Sequence, residues 1–156
     1  MAISGTYSAG DAISFGDCLV EVELTGADSA WADIDSWATE VSVNPGTVPF
    51  QDTYPFEGSA ITFAGSRGSD EVTVTVVYTE GSTDPFQNIF DRFASSSGPT
   101  FGVRWVPKGS ASGNFRFEIT AGKLIACSLP QGGGDSASAT TFTFAVQGAV
   151  ARDTIT

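Results

Sequence analysis

Between Glu71 and Thr79 valine and threonine alternate, so that Val72, Val74, Val76 and Tyr78 fall on one side of an extended chain. Thr73, Thr75 and Val77 fall on the other. A period of two is the signature of a half-buried β-strand, and branched side chains suit the pleated surface. The same period recurs through most of the sequence. From Asp17 to Thr25 it places Cys18, Val20, Val22 and Leu24 opposite Glu21, Glu23 and Thr25. From Ser36 to Val43 it aligns Trp37, Thr39, Val41 and Val43. Thr100 to Val106 groups Phe101, Val103 and Trp105, and Asn114 to Thr120 groups Phe115, Phe117 and Ile119. Ala121-Gly122 then reads as a turn into Lys123 to Ser128, and Thr140 to Val150 groups Phe142, Phe144 and Val146. These segments, separated by Gly-, Ser- and Pro-rich turns, predict an all-β domain: a sandwich or barrel of about six to eight strands.

One stretch departs from that period. Asp84-Pro85 supplies a helix N-cap and a first-turn proline. Phe86, Ile89, Phe90 and Phe93 then follow at i, i+3, i+4 and i+7, the spacing of one helical face. Gly98-Pro99 is a stop signal, so a helix over about 84–96 is expected to pack that face on its own domain. Residues 44–70 fit neither period. They carry Pro45, Pro49 and Pro55 together with Phe50, Tyr54, Phe56 and Phe63. A loop of that length usually has a function, and aromatic groups seek burial. Either an arm docking on a neighbouring subunit or a hairpin folded back on its own domain satisfies both facts. Residues 131–138 read as a flexible connection.

The chemistry of the sequence is sparse. Its 156 residues include no histidine, which removes the usual neutral-pH base, Ser-His-Asp and Cys-His arrangements and most zinc sites. No phosphate-binding loop, dinucleotide fingerprint or nucleophile elbow is found. Cys18 and Cys127 are too few for a disulfide framework and read as reduced core residues. Glu21 and Glu23 sit two apart on a strand, about 7 Å from each other, as a glycosidase pair could, although a solvated or pore-lining face explains them better. Asp28, Asp33 and Asp35 cluster without the spacing of a calcium loop. Trp31, Trp37 and Trp105 could form a sugar-stacking platform, but their positions beside strands favour burial. The expectation is a protein that is not an enzyme and needs no cofactor or metal.

Charge bounds the partners. Seven Lys and Arg against 18 Asp and Glu give −11 and a pI near 4.1, so the chain is not built to grip phosphates. Charged residues are only 16 % of the total, against roughly 25 % in typical domains. A thinly charged surface suits a protein that covers itself with neighbours. Met1 to Gly10 lacks the pattern of a signal peptide, and no apolar run is long enough to cross a membrane as a helix.

From Glu71 onward the order of elements resembles that of the tail tube proteins of long-tailed (siphovirus-type) bacteriophages. The carrying segments are the Thr/Val strand ending in Tyr78-Thr79-Glu80-Gly81, the helix opened by Asp84-Pro85-Phe86 and the strand-to-turn run from Phe101 to Gly109. The aromatic strand Phe115 to Ile119 and a last strand ending near Gly148-Ala149-Val150 complete the set. The likeness covers Glu71 to Val150 well and Asp17 to Val43 loosely. It implies a single tube-type domain over 1–156, without the immunoglobulin-like C-terminal domain that some members add. It further implies six-subunit rings stacked into a hollow tube, with residues 44–70 as the arm between rings. Partners would be other copies of the chain and tail proteins such as the tape measure and the terminator, in a virion assembled in the host cytoplasm. DNA would pass through unbound, and Glu21 and Glu23 are the candidates for the acidic lumen. The alternatives are a contractile-tail or secretion-system tube, a terminator ring, or a carbohydrate-binding sandwich.

Overall fold

The computed structural model describes residues 15–23, 31–56, 58–95 and 99–156. Leu24, Thr25, Asp28 and Gly98, and the segment Met1 to Gly10, lie outside the described residues. The elements run β1 Leu19–Glu23, β2 Trp31–Asp33, β3 Ala38–Asn44, β4 Phe50–Thr53, β5 Ile61–Ala64, β6 Glu71–Val77, α1 Pro85–Ser95, β7 Thr100–Val106, β8 Phe115–Cys127, β9 Ala139–Val146 and β10 Ala151–Thr154. Eight strands form one antiparallel sheet in the order β2-β1-β7-β8-β9-β6-β3, with β10 added on β8, while β4 and β5 pair separately.

Connectivity shows that this sheet is rolled. Laid flat, its two edges β2 and β3 would stand about 29 Å apart, from six strand spacings of roughly 4.8 Å. Yet Asp33 ends β2 and Ala38 opens β3. Five Cα steps of about 3.8 Å span at most about 19 Å, so the edges must curl towards each other. The link is bonded to both sides: Ile34 N donates to Val20 O of β1 (2.9 Å) and Val77 N of β6 donates to Trp37 O (2.8 Å). The result is an open barrel around one core that includes Val20, Val22, Val74, Phe101, Ile119 and Phe144.

α1 closes one end of that barrel. Phe86 and Ile89 are buried, and Phe90 and Phe93 pack half-buried against the core. Phe86 meets Tyr78 edge-on (4.9 Å), stacks with Phe90 (5.2 Å) and faces Phe142 (6.3 Å). The Asp84 carbonyl accepts the first helical bond, from Asn88 N (3.2 Å), while its carboxylate turns back to accept from Gly81 N (2.8 Å) ahead of the helix. Arg92 near the other terminus donates to Thr100 O and lies over the Phe101 ring.

Three local expectations change, and one strand was not expected. Ala121-Gly122 is not a turn: β8 runs unbroken for 13 residues, and Gly122 sits in it where an added Cβ would meet Ile119 Cδ1 at 2.8 Å and Phe144 Cβ at 3.2 Å. A bulge between Ala38 and Glu40 shifts the phase of β3, so Ala38 and Val41 face the core while Thr39 is exposed; Val43, in phase with Val41, lies at the open end of the barrel. The last strand is interrupted after Val146, and past Gly148 (φ 104°) the chain continues along β8 as β10, whose residues are all exposed and so carry no alternation. β2 is three residues long and shows no periodic signal.

Candidate assembly surfaces

The arm grows out of the β3–β6 pair. Beyond Asn44 and Glu71, the last paired residues of those strands, the chain leaves the barrel, pairs again as β4–β5 and turns back near Gly58 (φ 125°). Its root is held tightly. Gly46 N donates to Asp70 Oδ1 (2.9 Å), Arg67 donates to Gly46 O (3.0 Å) and to Asp70 Oδ1 (2.6 Å), and Gly68 N donates to Thr47 O (3.0 Å). The two stalks approach so closely that a Cβ on Gly46 would lie 1.9 Å from Gly68 O. Glycine is required there by space alone.

Register assigns the arm two faces. Phe50, Asp52, Thr62 and Ala64 share one, and Gln51, Thr53, Ile61 and Phe63 share the other. The first carries Phe50 and the second Ile61 and Phe63. Phe50 is 70 % exposed and Tyr54 76 %, while Ile61 and Phe63 are exposed and Phe56 is fully so. The arm is therefore a hairpin that does not fold back onto its own barrel. Scattered exposed apolar groups are ordinary, but five of them on one thin hairpin form a contact surface in want of a partner.

The barrel end from which the arm springs is open. An apolar mouth of about 470 Å³ is floored by Trp105 and Phe117, which stack at 5.6 Å, and walled by Val43 and Val150. Arg67 and Arg152 stand on its rim. A neighbouring groove along Pro107, Phe115 and Phe117 continues it.

On the outer side of the sheet, Asp33, Glu21, Arg104 and Glu118 stand directly abreast across β2, β1, β7 and β8. Arg104 grips Glu21 with two guanidinium nitrogens, one at 2.8 Å from Oε1 and the other on Oε2, and lies over the Trp31 ring at 4.3 Å. Glu23 is only 2 % exposed and sits beside Trp31 across the β1–β2 pair. Of the two lumen candidates, Glu21 is therefore ion-paired and Glu23 is buried. The cause is β2, which lays Trp31 over Gly102, where an added Cβ would meet its ring at 2.7 Å. A tryptophan platform is absent too, since Trp105 is buried, Trp37 packs on the core and Trp31 lies beneath Arg104.

Elsewhere the outer face is a panel of hydroxyls. Ser42, Thr73 and Thr143 stand abreast across β3, β6 and β9, and Glu40, Thr75 and Thr141 form the next row. Thr73 and Thr143 hydroxyls lie 3.4 Å apart and those of Thr75 and Thr141 3.5 Å. No group of His, Cys, Asp and Glu that could hold a metal occurs among the described residues. Cys18 and Cys127 are free, and burial raises both thiol pKa values above 9.0.

No protein-family model matches the sequence, and no curated protein sequence matches it. Solved structures do. The SPP1 tail tube superposes with a TM-score of 0.62 at 14 % identity, over 92 % of this chain and 80 % of that one. A subunit from the tail of an empty gene transfer agent particle, determined with C6 symmetry, gives 0.59 at 15 % identity over 91 % and 99 %. One from the sheath–tube complex of the extracellular contractile injection system PVC gives 0.58 at 12 % identity over 96 % and 100 %. The fold is that of a tail tube subunit. At these identities the tail-tube likeness resides in the course of the backbone.

Proposed function

We propose that this chain is the repeating subunit of a tail tube, a structural protein of a virion that assembles into stacked rings and conducts DNA. The observation that supports this reading most is the match of almost the whole chain to almost the whole of a gene transfer agent tail subunit. Physical features of the chain agree with it. Its arm carries apolar groups that its own barrel leaves uncovered, and an arm meeting a different surface on the next copy makes a heterologous contact, the kind that builds rings and tubes. Other tail proteins, a tape measure and a terminator among them, would meet the ends and interior of that tube. The protein would be made in the cytoplasm of the bacterial host.

In this reading the conduit wall is the hydroxyl panel and not Glu21 and Glu23. Thr73, Thr75, Thr141 and Thr143 present neutral, short side chains, Glu40 stands in the Thr75 row, and the next row carries Glu71 with a single cation, Lys123 of β8, two strands away. DNA gains affinity by releasing counterions to clustered cations, so a wall of this kind gives it nothing to hold.

Negative-stain microscopy and sedimentation velocity of the purified protein test the proposal. Rings or tubes are expected on raising the concentration. A protein that stays monomeric from micromolar to millimolar concentration at every salt tried would end it.

A further inference from the structure

The arm and the mouth are two apolar surfaces of one chain, and neither is covered. We propose that the mouth receives the arm of a second copy standing beside it in the same ring, a deepening that rests on the tail-tube reading above. Three observations lead there.

The first is position. Val43, Arg67 and Asp70 belong at once to the arm's root and to the mouth's rim, so arm and mouth share one end of the barrel. A copy of the same polarity can present its arm to that mouth only from the side. The arm's own tip does not fill it, because Tyr54 and Phe56 are exposed. The opposite end of the barrel is already closed by α1.

The second is reach. From Asn44 to the turn near Gly58 the arm can extend at most about 46 Å, at roughly 3.3 Å per residue. A domain of this size has a radius of gyration of about 15 Å and is roughly 40 Å across, so the tip reaches the middle of an adjacent barrel.

The third is charge. Residues 47–66 hold Asp52 and Glu57 and no Lys or Arg. At the mouth, Arg152 lies over the Phe115 ring at 4.9 Å and Lys108 is exposed nearby, and neither has a carboxylate partner among the described residues. In a chain of net charge −11, two cations without a carboxylate partner among the described residues, one at the apolar mouth and one along the adjoining groove, mark a place for an acidic, aromatic segment. One face of the hairpin enters the neighbour's mouth. The other is left for the ring stacked on that end.

Complementation tests this. One variant has its arm tip disabled (Tyr54→Ser with Phe56→Ser) and another has its mouth disabled (Val43→Glu with Arg152→Glu). Each alone is expected to need at least tenfold more protein than the parent to assemble. Mixed in equal amounts they should form a one-to-one complex that grows no further, because only one arm and one mouth remain. Should Val43→Glu unfold the barrel, Arg152→Glu alone, at an exposed position, replaces it.

Absence of a one-to-one complex while the parent still forms tubes overturns the docking and leaves the tube reading standing. A parent that stops at dimers, with the mixed complex intact, keeps arm-in-mouth docking but refutes its side-by-side placement and the tube, because two copies facing each other would exchange arms. A mixture that still polymerises refutes the docking as well, since assembly would then need neither surface.

Discussion

Gly46→Ala probes the arm root with one methyl group. Its Cβ would lie 1.9 Å from Gly68 O, 2.4 Å from Gly68 C and 2.8 Å from Ser69 O, all of them backbone atoms that no rotamer change can move. Carbon atoms of this type essentially never approach closer than 3.0 Å, so the stalks must part by about 1.1 Å. That displacement breaks the bonds from Gly46 N to Asp70, from Arg67 to Gly46 O and from Gly68 N to Thr47 O. At about 0.5–1 kcal/mol each in this wet setting, root closure loses about 1.5–3 kcal/mol. The exposed Arg67–Asp70 ion pair adds little to that figure.

Because the root lies outside the core, the loss falls on assembly and not on the barrel. The concentration needed to polymerise should rise about 10- to 150-fold, by the relation of tenfold per 1.4 kcal/mol. The thermal midpoint of the monomer should hardly move. Sedimentation velocity across a concentration series measures the first, and calorimetry of dilute protein the second. Gly134→Ala is the control, since a Cβ there meets nothing within 4 Å. The reasoning is refuted if Gly46→Ala assembles at the parent's concentration. It is refuted equally if the whole cost appears as a lower barrel midpoint, which would make the root part of the barrel's cooperative unit.

Phe144 is fully buried and meets Phe101 edge-on at 5.6 Å, so Phe144→Ala should cost about 3–5 kcal/mol and lower the melting midpoint by about 10 °C, read by circular dichroism. Thr143→Lys puts a cation into the hydroxyl panel; its tubes should retain short DNA duplexes in co-sedimentation, with affinity falling as salt rises, whereas parent tubes should not. Burial favours the neutral thiols of Cys18 and Cys127 in the folded state, so their contribution is complete below pH 9 and is lost as pH rises through the raised native values. Urea midpoints at pH 8 and pH 10 should therefore fall further for the parent than for a Cys18→Ala/Cys127→Ala double variant.

What could be read from the sequence followed side-chain period. β6, β7, β9 and α1 announce themselves because each buries one face against one core, and their residues alternate or recur accordingly. β10 is exposed throughout and β2 is three residues long, so neither has a face to pattern. The surroundings of Glu21 and Glu23 were not legible either. Alternation places both carboxylates on the outer face, where they are, but cannot reveal that β2 brings Trp31 across Gly102 to cover that face. Nor does local sequence show Arg104, 83 residues away, neutralising Glu21. The mouth is invisible for a further reason: it is made of residues from β3, β7, β8 and the β9–β10 turn that meet only when the sheet rolls.

The arm's energetics connect folding to assembly. A two-stranded hairpin with both faces wet is marginal in water, and fixing its backbone costs about 1 kcal/mol or more per residue. β4 and β5 contribute four residue pairs and bury none of their residues. The barrel therefore gives the arm little beyond the clamp of Gly46, Arg67 and Asp70 at its base, and the arm belongs to the least stable part of the fold. Ordering it is repaid only where Phe50, Tyr54, Phe56, Ile61 and Phe63 leave water, which requires a neighbour. A first encounter between two subunits must order an arm for a single contact. In the proposed tube, a subunit joining an existing ring would meet neighbours on both sides and gain two contacts for the arms it helps to order. Growth is thereby favoured over initiation, so subunits with an exposed aromatic arm can stay apart until an assembled end is there to receive them.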